Sequence, residues 1–239
     1  MSACFLTVFT LMGTSCKSKE KAIDPNPNSS PIETIDLGII GKISSDTTTK
    51  PSSRSYFQPL QLTDEQYNLL AQTRDLSFRF LAKVDAATKE NYVISPASME
   101  YLIAMVLNGA DGQTATEIAT ALGVQTSNLE ALNEIYHHLM TYYPSLDSEV
   151  MVNVANAMVV NHQIPLENSF KRKAEKYYLA EISNMDFNRS KAVIDKINGW
   201  CAKQTYGLIP QIIDRGTPDM MACLMNAVYF KDRKSTRLN

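Results

Sequence analysis

Four cysteines and three histidines are the residues of this 239-residue chain best suited to covalent or metal chemistry, and their spacing argues against most of it. His137, His138 and His162 form no HExxH pattern and have no paired cysteines beside them, so no metal site is expected. They read as surface or helix-face histidines. No Gly-x-Ser-x-Gly elbow presents a serine nucleophile, and the glycines fall singly at caps and turns, without the run that cradles phosphate. No cofactor is expected, and the chain does not read as an enzyme. Cys201 on a helical stripe and Cys223 on a strand could meet where that helix packs on the sheet, or remain two independent buried thiols.

The polar groups that remain are of another kind. Ser95 and Ser98 read as helix-cap residues, and Asn226 as a buried amide bonding neighbouring backbone. Ser95 precedes Pro96, a pairing that predicts a helix N-cap followed by proline at the first helical position. From Met99 to Leu107 that helix is apolar on nearly every face, which places it inside a large core, and it ends at Gly109. Asn91 to Ser95 before it reads as a short strand. A second helix is expected to open with a capping box, Thr114 and Glu117, and to stop at Gly123.

The folded region is expected to begin near Leu62, with Thr63 leading a helix whose inward positions are Leu69, Thr73, Leu76, Phe80 and Val84. Leu129, Leu132, Tyr136, Leu139 and Met140 mark another helix. Val150 to Val160 is a nearly continuous β-favouring run with Asn153 and Asn156 inside it, covered on both faces. Helices are predicted at about 167–179 and 191–205, and strands at about 181–187 and 220–231. Val193, Ile197, Trp200 and Cys201 form the inward stripe of the second of these helices, with Trp200 a core residue. KRKAEK (171–176) reads as the solvated face of a helix whose apolar stripe is Phe170, Ala174, Tyr177 and Tyr178. This order of elements, without strict βαβ alternation, predicts an α+β domain. A net charge of −2 offers no basic field, so no nucleic-acid partner is expected.

Three segments together resemble the serpins. The first carries Asn91, Ser95, Pro96, Ser98, Gly109, Ala110, Leu122 and Gly123; the second carries Asn198, Trp200, Thr205, Gly207 and Ile209; the third, LMNAVYFK, carries Asn226, Ala227 and Phe230. They cover roughly residues 62–231. The resemblance implies helices packed on a large central sheet, and a shutter cluster made of Ser95, Ser98 and Asn226, usually joined by a histidine from the later half of the family's sequence. It implies suicide inhibition of a serine or cysteine protease: an exposed loop is cleaved, the protease stays as an acyl-enzyme, and the loop inserts into the sheet. A non-inhibitory binding or storage scaffold is the alternative. The strand at 220–231 would be one wall of the insertion gap, with one edge left open.

The family's reactive loop has no counterpart in these residues, and after Lys231 the pattern gives way to DRKSTRLN, so 62–231 is expected to be a partial domain, its C-terminal half missing, followed by a non-family tail at 232–239 that reads as a truncation. As given, the chain is not expected to inhibit. Residues 1–16 form an apolar run too short to span a bilayer and read as a secretion signal. Cys16, after Gly13, Thr14 and Ser15, is similar to the lipid-bearing cysteine of bacterial lipoproteins, although Gly13 stands where an apolar residue is usual. A soluble secreted chain cleaved elsewhere is the alternative. The expected location is the cell envelope, with a membrane anchor at Cys16, or the extracellular space. Residues 17–61, rich in Pro, Ser, Thr and Asn, read as a disordered tether.

Overall fold

Apolar residues spaced for burial on two faces organise the molecule around one sheet. The computed structural model describes residues 2–12, 60–145, 150–215 and 220–232. The predicted tether, Cys16 and the tail after Asp232 lie outside them. In chain order the elements are β1 (Ser2–Met12), α1 (Asp64–Ala87), α2 (Pro96–Leu107), α3 (Gly112–Leu122), α4 (Leu129–Tyr142), β2 (Val150–Asn161), α5 (Asn168–Tyr178), β3 (Glu181–Met185), α6 (Ser190–Gln204) and β4 (Met220–Asp232).

The four strands run in the order β1-β4-β2-β3. β2 is antiparallel to β4, from Val150 opposite Asp232 to Val160 opposite Ala222, and parallel to β3. Strand residues alternate between faces, and the two faces have different partners. Met158, Val160, Ala222 and Leu224 join the core built by α1 to α5, while Ala157, Val159, Cys223, Met225 and Ala227 pack against Val193, Ile197, Trp200 and Cys201 of α6. Both faces are covered, as the unbroken apolar run of β2 requires.

α2 is the spine of the first core. Tyr101, Leu102, Ala104, Met105 and Leu107 are all at most 2% exposed. Each large side chain so buried contributes roughly 1.5 to 3 kcal/mol. Tyr101 meets Tyr136 of α4 edge to face, with ring centres 5.0 Å apart. At the start of α1 the Thr63 hydroxyl caps the Gln66 N–H, and the Gln66 side chain returns a bond to Thr63 N.

Three expectations are corrected. Asn91–Ser95 forms no strand among the described residues, and Val93 is 73% exposed, so nothing offers it a ladder. α3 begins at Gly112, two residues before Thr114, because Asp111 takes the cap by accepting from Gly112 N at 2.7 Å; Glu117 instead accepts from the Gln113 side chain. The edge of β4 opposite β2 is not open: β1 lies antiparallel along it, from Ser2 opposite Lys231 to Met12 opposite Met220.

Candidate functional site

Ser95 takes extended backbone angles (φ −121°, ψ 95°) at the entry to α2, with Pro96 next in line. Its Oγ accepts from the backbone N–H of Ser98 at 3.3 Å and from the Ser98 hydroxyl at 2.9 Å. Ser98 is fully buried, so that second bond satisfies a hydroxyl that water cannot reach.

Asn226 stands in the middle of β4, in register with Asn156 of β2, and alternation puts both on the side of α2, α4 and α5. The Asn226 amide donates to Asn156 Oδ1 at 2.8 Å, and the Asn156 amide donates to the backbone carbonyl of Tyr178 at 2.7 Å, 3.3 Å from the Met140 sulfur. Asn226 Oδ1 is buried and has no partner among the described residues.

The polar path continues through Tyr178 at the end of α5. Its hydroxyl donates to Asn133 Oδ1 at 2.6 Å, and Asn133 and Asn108 exchange amide bonds at 2.8 and 2.9 Å. Asn108 also donates to the Ala104 carbonyl. One hydrogen-bonded route therefore joins β4, β2, α5, α4 and the last turn of α2 inside an otherwise apolar layer. Ser95 and Ser98 form a separate pair at the other end of α2.

A second buried polar group lies on α2. Glu100 is 7% exposed and accepts from the hydroxyls of Ser77 and of Tyr136, the latter at 3.1 Å. Burial pushes its carboxyl above the usual carboxylate range, and hydrogen bonds from Ser77, Tyr136 and Thr73 only partly offset this.

The second sequence motif shapes the exit from α6. Asn198 Oδ1 accepts from the backbone N–H of Ile212 and Ile213 at 2.9 and 3.2 Å, and its amide donates to the Ile213 carbonyl at 2.8 Å. The Thr205 hydroxyl, fully buried, donates to the Cys201 carbonyl and accepts from Ile209 N. Gly207 between them has φ +81°, a left-handed conformation that favours glycine. Trp200 is buried, with no partner for its Nε1 among the described residues. Asn91 is exposed and Phe230 is 39% exposed, and neither joins the polar path. Cys201 and Cys223 share one core cluster without a disulfide, and the Cys201 thiol donates to the Ile209 carbonyl at 3.2 Å.

The sequence reading missed Asn108, Asn133 and Glu100, took Tyr178 only as part of an apolar stripe, and did not connect Asn156 to Asn226. The one signal available was an amide or carboxyl within a stretch otherwise fit for burial, as Asn156 is between Ala155 and Ala157.

Comparison with known proteins places these features in a family. The chain is 30% identical over 174 residues to serine protease inhibitor 42Dd of Drosophila melanogaster, covering 72% of this chain and 46% of that protein. It is 31% identical over 176 residues to Serpin-Z2A of Triticum aestivum, covering 71% and 44%. Among solved structures, a thermophilic serpin, tengpin, in the latent state superposes with a TM-score of 0.63 at 29% identity, over 72% of this chain and 45% of that one. Human thyroxine-binding globulin in complex with its ligand superposes at 0.60 and 23% identity, over 70% and 45%. The chain thus spans about half the length of the relatives it matches. The family model described as Serpin (serine protease inhibitor) matches residues 71–236, and the chain belongs to the serpin family.

Proposed function

We propose that the complete protein is a protease inhibitor of the loop-insertion type, and that these residues supply one wall of its central sheet. The observation that carries this reading is the Asn226–Asn156 pair. Stability alone favours apolar residues at two facing, fully covered positions, since a buried amide gains only about 1 kcal/mol net from its hydrogen bond and costs more when left unmatched. A polar pair holding β4 to β2, with Asn226 Oδ1 lacking a donor among the described residues, supports reading β4 as a wall that keeps this neighbour while its other edge changes partner. The serine pair at the head of α2 belongs to the same shutter in this reading, and a histidine from the later half of the family's sequence is the natural donor for Asn226 Oδ1.

We infer a cell-envelope location from the apolar run of residues 1–16, read as a leader, and from Gly13, Thr14 and Ser15 before Cys16, read as a lipid-bearing cysteine, with a soluble secreted chain as the alternative. Stable anchoring of this kind takes more than one acyl chain. The full-length gene product, incubated with a panel of serine and cysteine proteases, is expected to give a covalent complex that survives a denaturing gel. Reversible binding, or loop cleavage without a complex for every protease, supports the non-inhibitory scaffold instead.

A further inference from the structure

We propose that the end of α6 is a clasp on the sheet, with Gln204 gripping β2 and β3 and Tyr206 gripping β4, and that this clasp sets how readily β4 takes a new partner strand. The second half of the proposal rests on the loop-insertion reading. Alternation along β2 and β4 turns Asn153 and Tyr229 to the α6 face, with Ala157, Val159, Met225 and Ala227. The Asn153 amide donates to the Gln204 backbone carbonyl at 3.1 Å and to Gln204 Oε1 at 3.2 Å, and Gln204 Nε2 donates to Glu181 Oε1 on β3 at 3.2 Å. The Tyr206 ring packs on that of Tyr229, with ring centres 4.5 Å apart. Asn153 and Tyr229 are register partners across β2 and β4, so both grips land on one cross-strand pair.

Tyr206 holds its place against a backbone preference. The Gly207 N–H donates to the Ala202 carbonyl at 2.8 Å and the Tyr206 N–H to the Lys203 carbonyl at 3.4 Å, a helix ending whose left-handed residue is usually glycine. Here that residue is Tyr206, at φ +53°. A bulky side chain is strained there, and such strain persists only where the surroundings hold it. The ring of Tyr229, only 5% exposed, is what Tyr206 rests on. A strand added at the edge of β4 away from β2 changes the twist that β4 presents to α6. Contacts that fix α6 to β4 and β2 at one level oppose that change.

Faster insertion leaves the acyl-enzyme less time to hydrolyse, which supplies the test. The full-length gene product is mixed with a protease that it traps, and the ratio of covalent complex to cleaved, free inhibitor is read from denaturing gels. Tyr206→Ala removes the ring and is expected to raise that ratio roughly two- to tenfold, the range that an aromatic contact spans. Gln204→Ala is expected to move it in the same direction, and Tyr206→Phe to match the parent. Gly123→Ala, which weakens the other core layer, is expected to leave it unchanged. A ratio unmoved by Tyr206→Ala, or moved as far by Gly123→Ala, overturns the proposal. Amide hydrogen exchange without protease tests the clasp itself: the last turn of α6 is expected to exchange faster in Tyr206→Ala than in the parent or in Tyr206→Phe, and equal exchange in all three overturns the clasp. A parent that traps no protease overturns the loop-insertion reading and with it the second half of the proposal, while exchange still decides the first.

Discussion

Asn226 and Asn156 face each other across β4 and β2, and the Asn226 amide donates to Asn156 Oδ1 at 2.8 Å with both side chains at most 1% exposed. Either residue changed to Ala leaves the other with an unmatched buried group, at a cost of about 1 to 3 kcal/mol. The two effects should not add, because the second change removes a group that the first has already orphaned. A double-mutant cycle by urea denaturation is expected to give a coupling energy of about 0.5 to 3 kcal/mol. Simple additivity would show that the pair contributes nothing to the join between the strands.

Glu100 makes stability depend on pH in a stated direction. Its carboxyl is raised above the ordinary 4.5 by burial, so the folded state holds the proton more tightly than the unfolded chain does. That contribution is fully present below the unfolded value and is lost as pH rises through the raised folded value. As pH rises the buried carboxyl must give up that proton at a cost to the folded state, whereas a glutamine has none to lose, so Glu100→Gln is expected to raise the urea midpoint more at pH 7 than at lower pH. The advantage should shrink as pH is lowered towards 4. An equal shift at both pH values argues against a raised carboxyl.

Two glycines respond oppositely to alanine. Gly123 ends α3 at φ +78°, and a Cβ there would lie 2.6 Å from the Gln72 carbonyl oxygen, a backbone atom of α1. Gly123→Ala is expected to destabilise by about 2 kcal/mol or more, combining the left-handed penalty with the clash. Gly199 lies within α6 with open space at its Cβ position. Gly199→Ala is expected to stabilise by roughly 0.5 to 1 kcal/mol. Thermal or urea unfolding of the two variants side by side checks both signs.

Cys223 is fully buried, and burial pushes its thiol up to about 12. The thiolate is the reactive form, so alkylation at pH 8 should be slow in the folded protein and rise sharply through the urea transition. Mass spectrometry of iodoacetamide-treated protein across a urea series is the measurement. Rapid labelling without urea would contradict the packing of β4 against α6.

Local grammar was legible where a signal acts on its own neighbours. Thr63, Ser95 followed by Pro96, and Gly123 each govern one helix end within a few residues, and the structure agrees at each. The start of α3 went astray because Asp111 and Thr114 are both competent caps, and a single turn decides between them. The polar path was not readable for a different reason. Asn226 is 70 residues from Asn156, and Tyr178 is 45 from Asn133, so their pairing depends on how whole elements stack. Asn91–Ser95 has strand-like composition but no neighbour, and composition is silent on neighbours.

The strand order has a consequence in time. β2 meets its parallel partner early, with Ala157 opposite a residue only 24 positions further on, whereas Val160 waits for Ala222, 62 positions on. At synthesis speeds of about 5 to 20 residues per second, that interval lasts roughly 3 to 12 s, far longer than collapse of the helices already made. During it the inner edge of β2 stands without its mate, carrying Met158, Val159 and Val160. For those seconds the nascent chain presents an apolar edge open to pairing with whatever extended segment lies nearby.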